Sequence, residues 1–232
     1  MIMFELSPFE IEALLLSLQV AIVATLISLP FALAVAWILT RCRFPGLFLL
    51  DSFTHLPLVL PPVVIGYVLL VVFGRNGFVG GWLFDVFGIT VAFSWKGAAI
   101  ASAVVAFPLM VRAIRLSLEN IDQKLEQAAR TLGATPVSIF MTITLPLILP
   151  GLLSGVVLAF ARSLGEFGAT ISFVSNIPGV TQTLPLALYS SIQSVDGENS
   201  AIRLVVISVV LAFTALLASE LLSRKLSRFL NT

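Results

Sequence analysis

The sequence has little charge, a single cysteine and a single histidine. Charged residues make up 11% of its 232 positions, against about a quarter in ordinary soluble domains. They are too few to cover a globule with a hydrated surface, which excludes a soluble enzyme and a disordered region. One cysteine, Cys42, excludes a disulfide framework within the chain, and a lone cysteine and histidine argue against a zinc site. The net charge of +1 argues against a nucleic-acid partner.

Long apolar runs take the place of the missing charge. Hydrophobic residues make up 59% of the chain, and the mean hydropathy is +1.09. A helix needs about 20 apolar residues to cross a bilayer. Runs with at most one charge predict about five spans, at 13–40, 56–74, 92–111, 145–161 and 204–219.

Residues 167–195 are also uncharged but do not have the pattern of a span. Pro178, Gly179, Pro185 and a run of Ser, Asn and Gln residues make this stretch a poor helix. We therefore expect an extramembrane loop with a short surface helix around 184–192, and we keep a sixth, partial span as an alternative.

Basic residues collect on one side of the predicted spans. If residues 41–43, the loop 112–142 and the C-terminus share a side, that side holds nine of the 13 basic residues. They are Arg41, Arg43, Arg112, Arg115, Lys124, Arg130, Arg224, Lys225 and Arg228. Because cytoplasmic loops carry such an excess, we predict the N-terminus outside and the C-terminus in the cytoplasm. The chain then divides into a periplasmic segment 1–10, a transmembrane domain 11–222 and a cytoplasmic basic tail 223–232.

The cytoplasmic loop between the third and fourth predicted spans has an apolar stripe. Apolar residues recur there at steps of three or four, the period of one helix face. They are Leu118, Ile121, Leu125, Ala129 and Leu132. Composition alone favours an ordinary amphipathic helix on the membrane surface. We name residues 118–142 the elbow.

Capping residues predict two helices in the elbow. Asn120 is placed to cap the first helix, with Gln123 as in a capping box, and Gly133 suits the left-handed turn that ends it. A Thr-Pro pair then predicts a second short helix over 135–142. We expect the chain to re-enter the membrane at Pro146.

The elbow also carries a spaced motif. Gln127-Ala128-Ala129 is followed after three residues by Gly133, and after nine more by Ile143-Thr144-Leu145-Pro146. This spacing resembles the EAA…G…I-LP loop of ABC importer permeases, which implies that the elbow couples to a cytoplasmic ATPase. Gln127 stands where that family has its first glutamate, and Glu126 precedes it. The implied coupling residues are Glu126, Gln127, Ala128, Ala129, Gly133, Leu145 and Pro146.

A second polar feature lies at the far end of the fourth predicted span. Arg162 and Glu166 are four residues apart, so they can pair on one helix face. Ionisable groups at membrane depth usually face a bundle interior or a watery path. Two interpretations stay open: a structural clip between helices, or the border of a translocation path for an anion. The path candidates are Arg162, Ser163, Gly165 and Glu166.

Four segments indicate which group of ABC importer permeases the chain resembles. They read HLPLVLPPVVIGY at 55–67, FPLMVRAIRLSLE at 107–119, LEQAARTLGA at 125–134 and ARSLGEFGATISFVSNIPG at 161–179. These segments are similar to the permeases of molybdate and sulfate importers, and the short chain is most similar to the molybdate branch. The resemblance implies an all-α membrane protein whose residues 11–222 form a type I ABC importer transmembrane domain.

The resemblance also implies cargo and partners. A permease of this kind carries molybdate across the bacterial inner membrane, with sulfate, thiosulfate or tungstate as alternative cargo. The implied partners are a cytoplasmic ABC ATPase dimer, a periplasmic oxyanion-binding protein and a second copy of the chain. The lipid bilayer surrounds them.

Motifs of catalysis are missing from the sequence. It has no G-x-x-x-x-G-K-[ST] phosphate loop, so we expect the partner to bind ATP and Mg²⁺ and this chain to hold no cofactor. G-x-S-x-G, H-E-x-x-H and C-x-x-C are also absent, which argues against an enzyme. A secondary anion transporter or channel would show inverted repeats or a relay of intramembrane acids, and the sequence has neither. A purely structural membrane subunit would leave the elbow spacing unexplained.

Overall fold

The computed structural model describes residues 6–230, and of residues 219, 220 and 222–230 the backbone alone. All regular elements in this part are helical. They are α1 Pro8–Arg41, α2 Leu47–Val59, α3 Pro62–Phe73, α4 Phe78–Phe87, α5 Trp95–Glu119, α6 Gln123–Thr131, α7 Pro136–Ile139, α8 Leu145–Leu164, α9 Gly168–Val174, α10 Leu184–Gln193 and α11 Glu198–Leu230. Residues 1–5 of the predicted segment 1–10 and the basic side chains of the predicted tail 223–232 lie outside the described part.

Helix α1 begins at a capping box. The Ser7 hydroxyl accepts from the Glu10 amide at 3.3 Å, and the Glu10 carboxylate accepts from the Ser7 amide at 2.8 Å. One face of α1 is buried and consists mainly of small side chains, which let a neighbouring helix approach closely. This face includes Ala13, Ser17, Ala21, Ala24, Ser28, Ala32 and Ala36.

Two apolar clusters set the directions of the long helices. The first cluster joins Val20 of α1 to Ala98 of α5, and the second joins Leu39 of α1 to Ile114 of α5. Helices α1 and α5 therefore run in the same direction. Gly151 of α8 lies against Ser117 of α5, and Gly155 lies against Met110, so α8 runs the opposite way. We name the end of the bundle at the second cluster the elbow end, because α6 joins it there.

The predicted second span is a bent pair of helices. Helices α2 and α3 meet at an angle of 115° around Leu60 and Pro61. Consecutive prolines explain the break, since proline lacks an amide hydrogen and disfavours helix in the residue before it. Four described helices are long and apolar enough to span a membrane, and the bent pair makes five. The expectation of about five spans is confirmed with the bent pair counted as one.

The fourth predicted span begins earlier than expected. Helix continues without a gap from Pro136 to Leu164, through a π-helical turn at Phe140–Thr144. The prediction that the second elbow helix ends near Thr142 is therefore wrong. In the π turn, the Leu145 amide bonds to the Phe140 carbonyl five residues back. Pro146 follows this wider turn directly and has no amide hydrogen to donate. The π turn lets the helix continue past this proline, where the sequence predicted an interruption.

The expectation of a surface helix within 167–195 is also wrong. Helix α10 has almost the predicted bounds, but Leu186 is fully buried, as are Phe173 and Val174 of α9. The Leu184 amide donates to the Ser17 hydroxyl of α1 at 2.6 Å. Among the polar residues that suggested a loop, Asn176, Gln182 and Ser190 hydrogen-bond to one another, and the apolar residues between them pack inward. No sixth span occurs among the described residues.

Candidate coupling and translocation sites

The first helix of the elbow, α6, starts later than predicted. Its cap is Asp122, whose carboxylate accepts from the Lys124 amide at 2.9 Å. The prediction of Asn120 as the cap is wrong, because α5 continues through Glu119 and uses Asn120 as its own C-terminal cap. Gly133 has the predicted left-handed conformation, with φ of +84°.

The second elbow helix starts as predicted. The Thr135 hydroxyl accepts from the Ser138 amide at 3.3 Å, and Pro136 occupies the first helical position.

The predicted apolar stripe of the elbow divides into two parts. Leu118 and Ile121 are buried in the cluster at the elbow end. Leu125 and Leu132 are exposed, the latter to 88%. The second elbow helix and the π turn also expose apolar side chains. We name these exposed apolar residues of the elbow the elbow face: Leu125, Leu132, Val137 and Met141.

Glu126 points away from the elbow face and into the bundle. It is 7% exposed, and its Oε1 accepts from Arg41 Nη2 at 2.8 Å and from Thr144 Oγ1 at 2.9 Å. The Arg41 guanidinium lies 5.8 Å from the centre of the Trp37 ring. We name this group the Arg41–Glu126–Thr144 cluster. It joins α6 to the end of α1 and to the π turn.

The other predicted coupling residues do not form one surface. Gln127, Ala128 and Gly133 are exposed, and Ala129 is half-buried. Leu145 and Pro146 are half-buried at the start of α8. The predicted set therefore contains an outward part on the elbow and an inward part at its root. Its coupling role stays a prediction.

Sequence reasoning missed Arg41 and Thr144 as partners of the elbow. Arg41 is 85 residues from Glu126, and no local period connects the two. A weak signal was available, since Arg41 is the first charge after the 28-residue run 13–40 and has no carboxylate within a helical turn.

The elbow end also contains an ion-pair chain between α2 and α5. Asp51 Oδ1 lies 3.0 Å from Arg115 Nη1, and Arg115 Nε donates to Glu119 at 2.8 Å. These side chains are about one-third exposed. No group of three potential metal ligands occurs in the described range.

The second candidate site forms the predicted ion pair. Arg162 Nη1 lies 2.8 Å from Glu166 Oε2, and the Glu166 side chain is almost fully buried while that of Arg162 is one-third exposed. Glu166 Oε1 accepts from the Ala169 amide at 2.8 Å, so it also caps the start of α9. This geometry gives Glu166 a structural task. Whether Arg162 borders a path stays a prediction.

The two glycines beside this pair differ in their surroundings. A side chain at Gly168 would lie 2.9 Å from Pro62 Cβ, so Gly168 allows α9 to approach α3 closely. A side chain at Gly165 would meet nothing within 4 Å, and α8 ends there. Ser163, one of the path candidates, is buried, and its hydroxyl has no hydrogen-bond partner among the described residues.

Residues 28–228 match the family described as binding-protein-dependent transport system inner membrane component. The chain belongs to this family. It is therefore an inner-membrane permease component of an ABC transporter, as the elbow motif predicted.

Curated relatives place the chain in the predicted group. It is 65% identical over 215 residues to the molybdenum transport system permease protein ModB of Escherichia coli (strain K12), covering 93% of this chain and 94% of that protein. It is 41% identical over 211 residues to the sulfate transport system permease protein CysT of the same strain, covering 91% and 75%. The resemblance to molybdate and sulfate permeases is confirmed.

A solved structure shows the same fold. The chain matches a bacterial ABC transporter involved in the import of the acidic polysaccharide alginate, with a TM-score of 0.76 and 17% identity. The match covers 95% of this chain and 80% of that one. The predicted type I importer fold is confirmed.

Proposed function

We propose that the chain is the permease subunit of an ATP-driven importer that carries molybdate across the bacterial cytoplasmic membrane. The observation that carries this proposal is the 65% identity to a molybdenum permease along almost its whole length. The sulfate permease is more distant, at 41%. Sulfate, thiosulfate and tungstate remain the alternative cargoes, because they are oxyanions of similar charge and shape.

The proposal places the elbow end in the cytoplasm and the N-terminus outside. Arg41, Arg115, Lys124 and Arg130 all lie at or beyond the elbow end, in line with the excess of basic residues in cytoplasmic loops. Five crossings put the two termini on opposite sides.

A cytoplasmic ABC ATPase dimer binds at the elbow face in this proposal. The elbow face exposes Leu132 at 88% and Val137 at 70%, and apolar side chains so exposed mark a protein or membrane contact. ATP and Mg²⁺ bind to the partner, since this chain has no phosphate loop. The chain itself is not an enzyme and holds no cofactor.

A periplasmic oxyanion-binding protein docks at the opposite end. The segments 74–93 and 171–200 offer exposed apolar side chains for this contact, including Phe78 and Trp82 on α4 and Val195 before α11. A second copy of the chain completes the path as a homodimer. The one-third exposure of Arg162 in the single chain supports a path that the second copy encloses.

The translocation path binds the transported anion weakly. The Arg162 charge attracts an anion but is already balanced by Glu166 at 2.8 Å, and Ser163 adds a hydroxyl without a partner in the described chain. Weak binding favours release, so tight recognition belongs to the delivery protein. ATP binding opens the path outward through the elbow, and hydrolysis returns it to the inward-open state.

The test is uptake of labelled molybdate into vesicles that contain this chain, the ATPase and the binding protein. We expect uptake that requires ATP and persists in excess sulfate. Strong competition by sulfate would replace molybdate with a broader oxyanion cargo. Uptake without ATP would contradict an ABC permease and favour a secondary transporter or channel.

A further inference from the structure

Glu126 is the only buried charge in the elbow. Asp122, Lys124 and Arg130 are all exposed to solvent, whereas Glu126 is 7% exposed. Burying a carboxylate is costly unless charge and hydrogen bonds compensate it. Arg41 supplies the charge and Thr144 a second hydrogen bond, both to Oε1. The elbow is thereby attached to α1 through side chains as well as to α5 and α8 through the backbone.

The end of α1 contacts both ends of the π turn. The Trp37 ring contacts the ring of Phe140, the first residue of the π turn, edge to face with ring centres 5.4 Å apart. Arg41 lies one turn further along α1 and donates to the Glu126 carboxylate. The same carboxylate accepts from Thr144, the last residue of the π turn. π turns are rare and frequently mark functional positions in helices. The last turn of α1 thus supports the segment where the elbow becomes α8.

We propose that Glu126 is a positioning residue that holds the elbow and the elbow end of α1 as one moving body. This inference rests on the proposed function, because it concerns how a movement of the ATPase enters the permease. The movement reaches α1 directly through Arg41. The neighbouring Gln127 and Ala128, which are exposed, remain available to the ATPase.

The first test measures molybdate uptake for each ATP hydrolysed in assembled complexes. We expect Glu126→Gln to lower this ratio about tenfold, a coupling energy of ordinary size, while ATPase binding is retained. The reversed pair, Arg41→Glu with Glu126→Arg, should recover part of the ratio. The matched control is Asp51→Asn, which removes a partly exposed Arg115 pair at the same end but outside the elbow, and should leave the ratio unchanged. An unchanged ratio in Glu126→Gln would overturn the inference.

The second test measures a distance and does not depend on the cargo. Cys42 is exposed, follows Arg41 and is the only cysteine of the chain, so a spin label there reports on the end of α1. A second label at Gln123→Cys reports on α6. Mixing the doubly labelled chain with unlabelled Cys42→Ser chains gives complexes that carry one labelled copy. We expect the same distance with and without trapped ATP in the native cluster, and a state-dependent distance in Glu126→Gln.

The outcomes of the second test distinguish failure of the Glu126 inference from failure of the proposed function. A native distance that changes with ATP would overturn the common body of α1 and elbow while leaving the importer intact. Failure of the ATPase to bind the chain at all would overturn the proposed function.

Discussion

Glu10 is a fully buried carboxylate at the first turn of α1, far from the elbow. Arg203 of α11 donates to its Oε1 at 2.9 Å from Nε, Ser200 donates to the same oxygen at 2.7 Å, and the Ser7 amide donates to Oε2. Because both oxygens are satisfied, the charge can remain inside the protein. This contact fastens the start of α1 to the start of α11.

Loss of Arg203 should destabilise the protein strongly. Arg203→Met leaves Glu10 as an unpaired buried charge, and the expected cost is about 3–5 kcal/mol of unfolding free energy. Thermal unfolding of the purified chain in detergent measures it. Glu12→Gln, an exposed carboxylate on the same turn, is the matched control and should change stability by less than about 0.5 kcal/mol. Equal stability of the two variants would show that the Glu10 contact contributes nothing.

The elements of the elbow depend on one backbone conformation at Gly133. Its φ of +84° lies in the left-handed region, and its position is open, since an added side chain would meet nothing within 4 Å. The conformation, rather than crowding, therefore makes glycine suitable here. It sets the angle between α6 and α7.

Gly133→Pro should abolish coupling, because proline fixes φ near about −65° and cannot form this turn. Gly133→Asn is the matched control, since asparagine accepts the left-handed region at small cost. We expect loss of ATP-dependent uptake in the first variant and near-normal uptake in the second, with both inserted in the membrane. Normal uptake by Gly133→Pro at normal expression would remove the elbow from the coupling path.

The sequence predicted elements whose signals are local. The turn at Gly133 and the start of the second elbow helix at Thr135 rest on neighbouring residues, and both are confirmed. The inward direction of Glu126 could not be predicted, because it depends on Arg41, 85 residues away. Burial of α10 was missed for a similar reason: its hydroxyl-rich sequence appears solvated until Ser17 of α1 is placed against it.

At the scale of the whole molecule, α1 is fastened at both ends by buried ion pairs. Glu10 pairs with Arg203 at one end and Arg41 with Glu126 at the other. At 1.5 Å for each residue, the 34 residues of α1 span about 50 Å, more than the apolar thickness of a bilayer. One continuous helix thus connects the elbow with the opposite end, where the path candidates lie.

The charge of Arg162 should affect the passage of an anion through the whole path. Arg162→Gln removes the positive charge that attracts molybdate at this point, so we expect uptake to fall about tenfold, a loss of roughly 1.4 kcal/mol. Arg162→Lys keeps the charge and should retain most of the uptake. The measurement is the initial rate of molybdate uptake at equal ATPase binding. Equal rates in the Gln and Lys variants would favour the structural-clip interpretation of this pair.

The π turn also determines which way the elbow points relative to the bundle. The buried residues on the continuous helix 136–164 are Ile139, Thr144, Ile148, Gly155, Ala159 and Ser163. The intervals between them are five, four, seven, four and four residues. The step of five falls on the π turn, where an α-helix would use three or four. Loss of one residue between 140 and 143 would therefore convert the turn to α-helix and keep both flanks in phase. Loss of one residue elsewhere in α8 would rotate the elbow by about 100° around the helix axis.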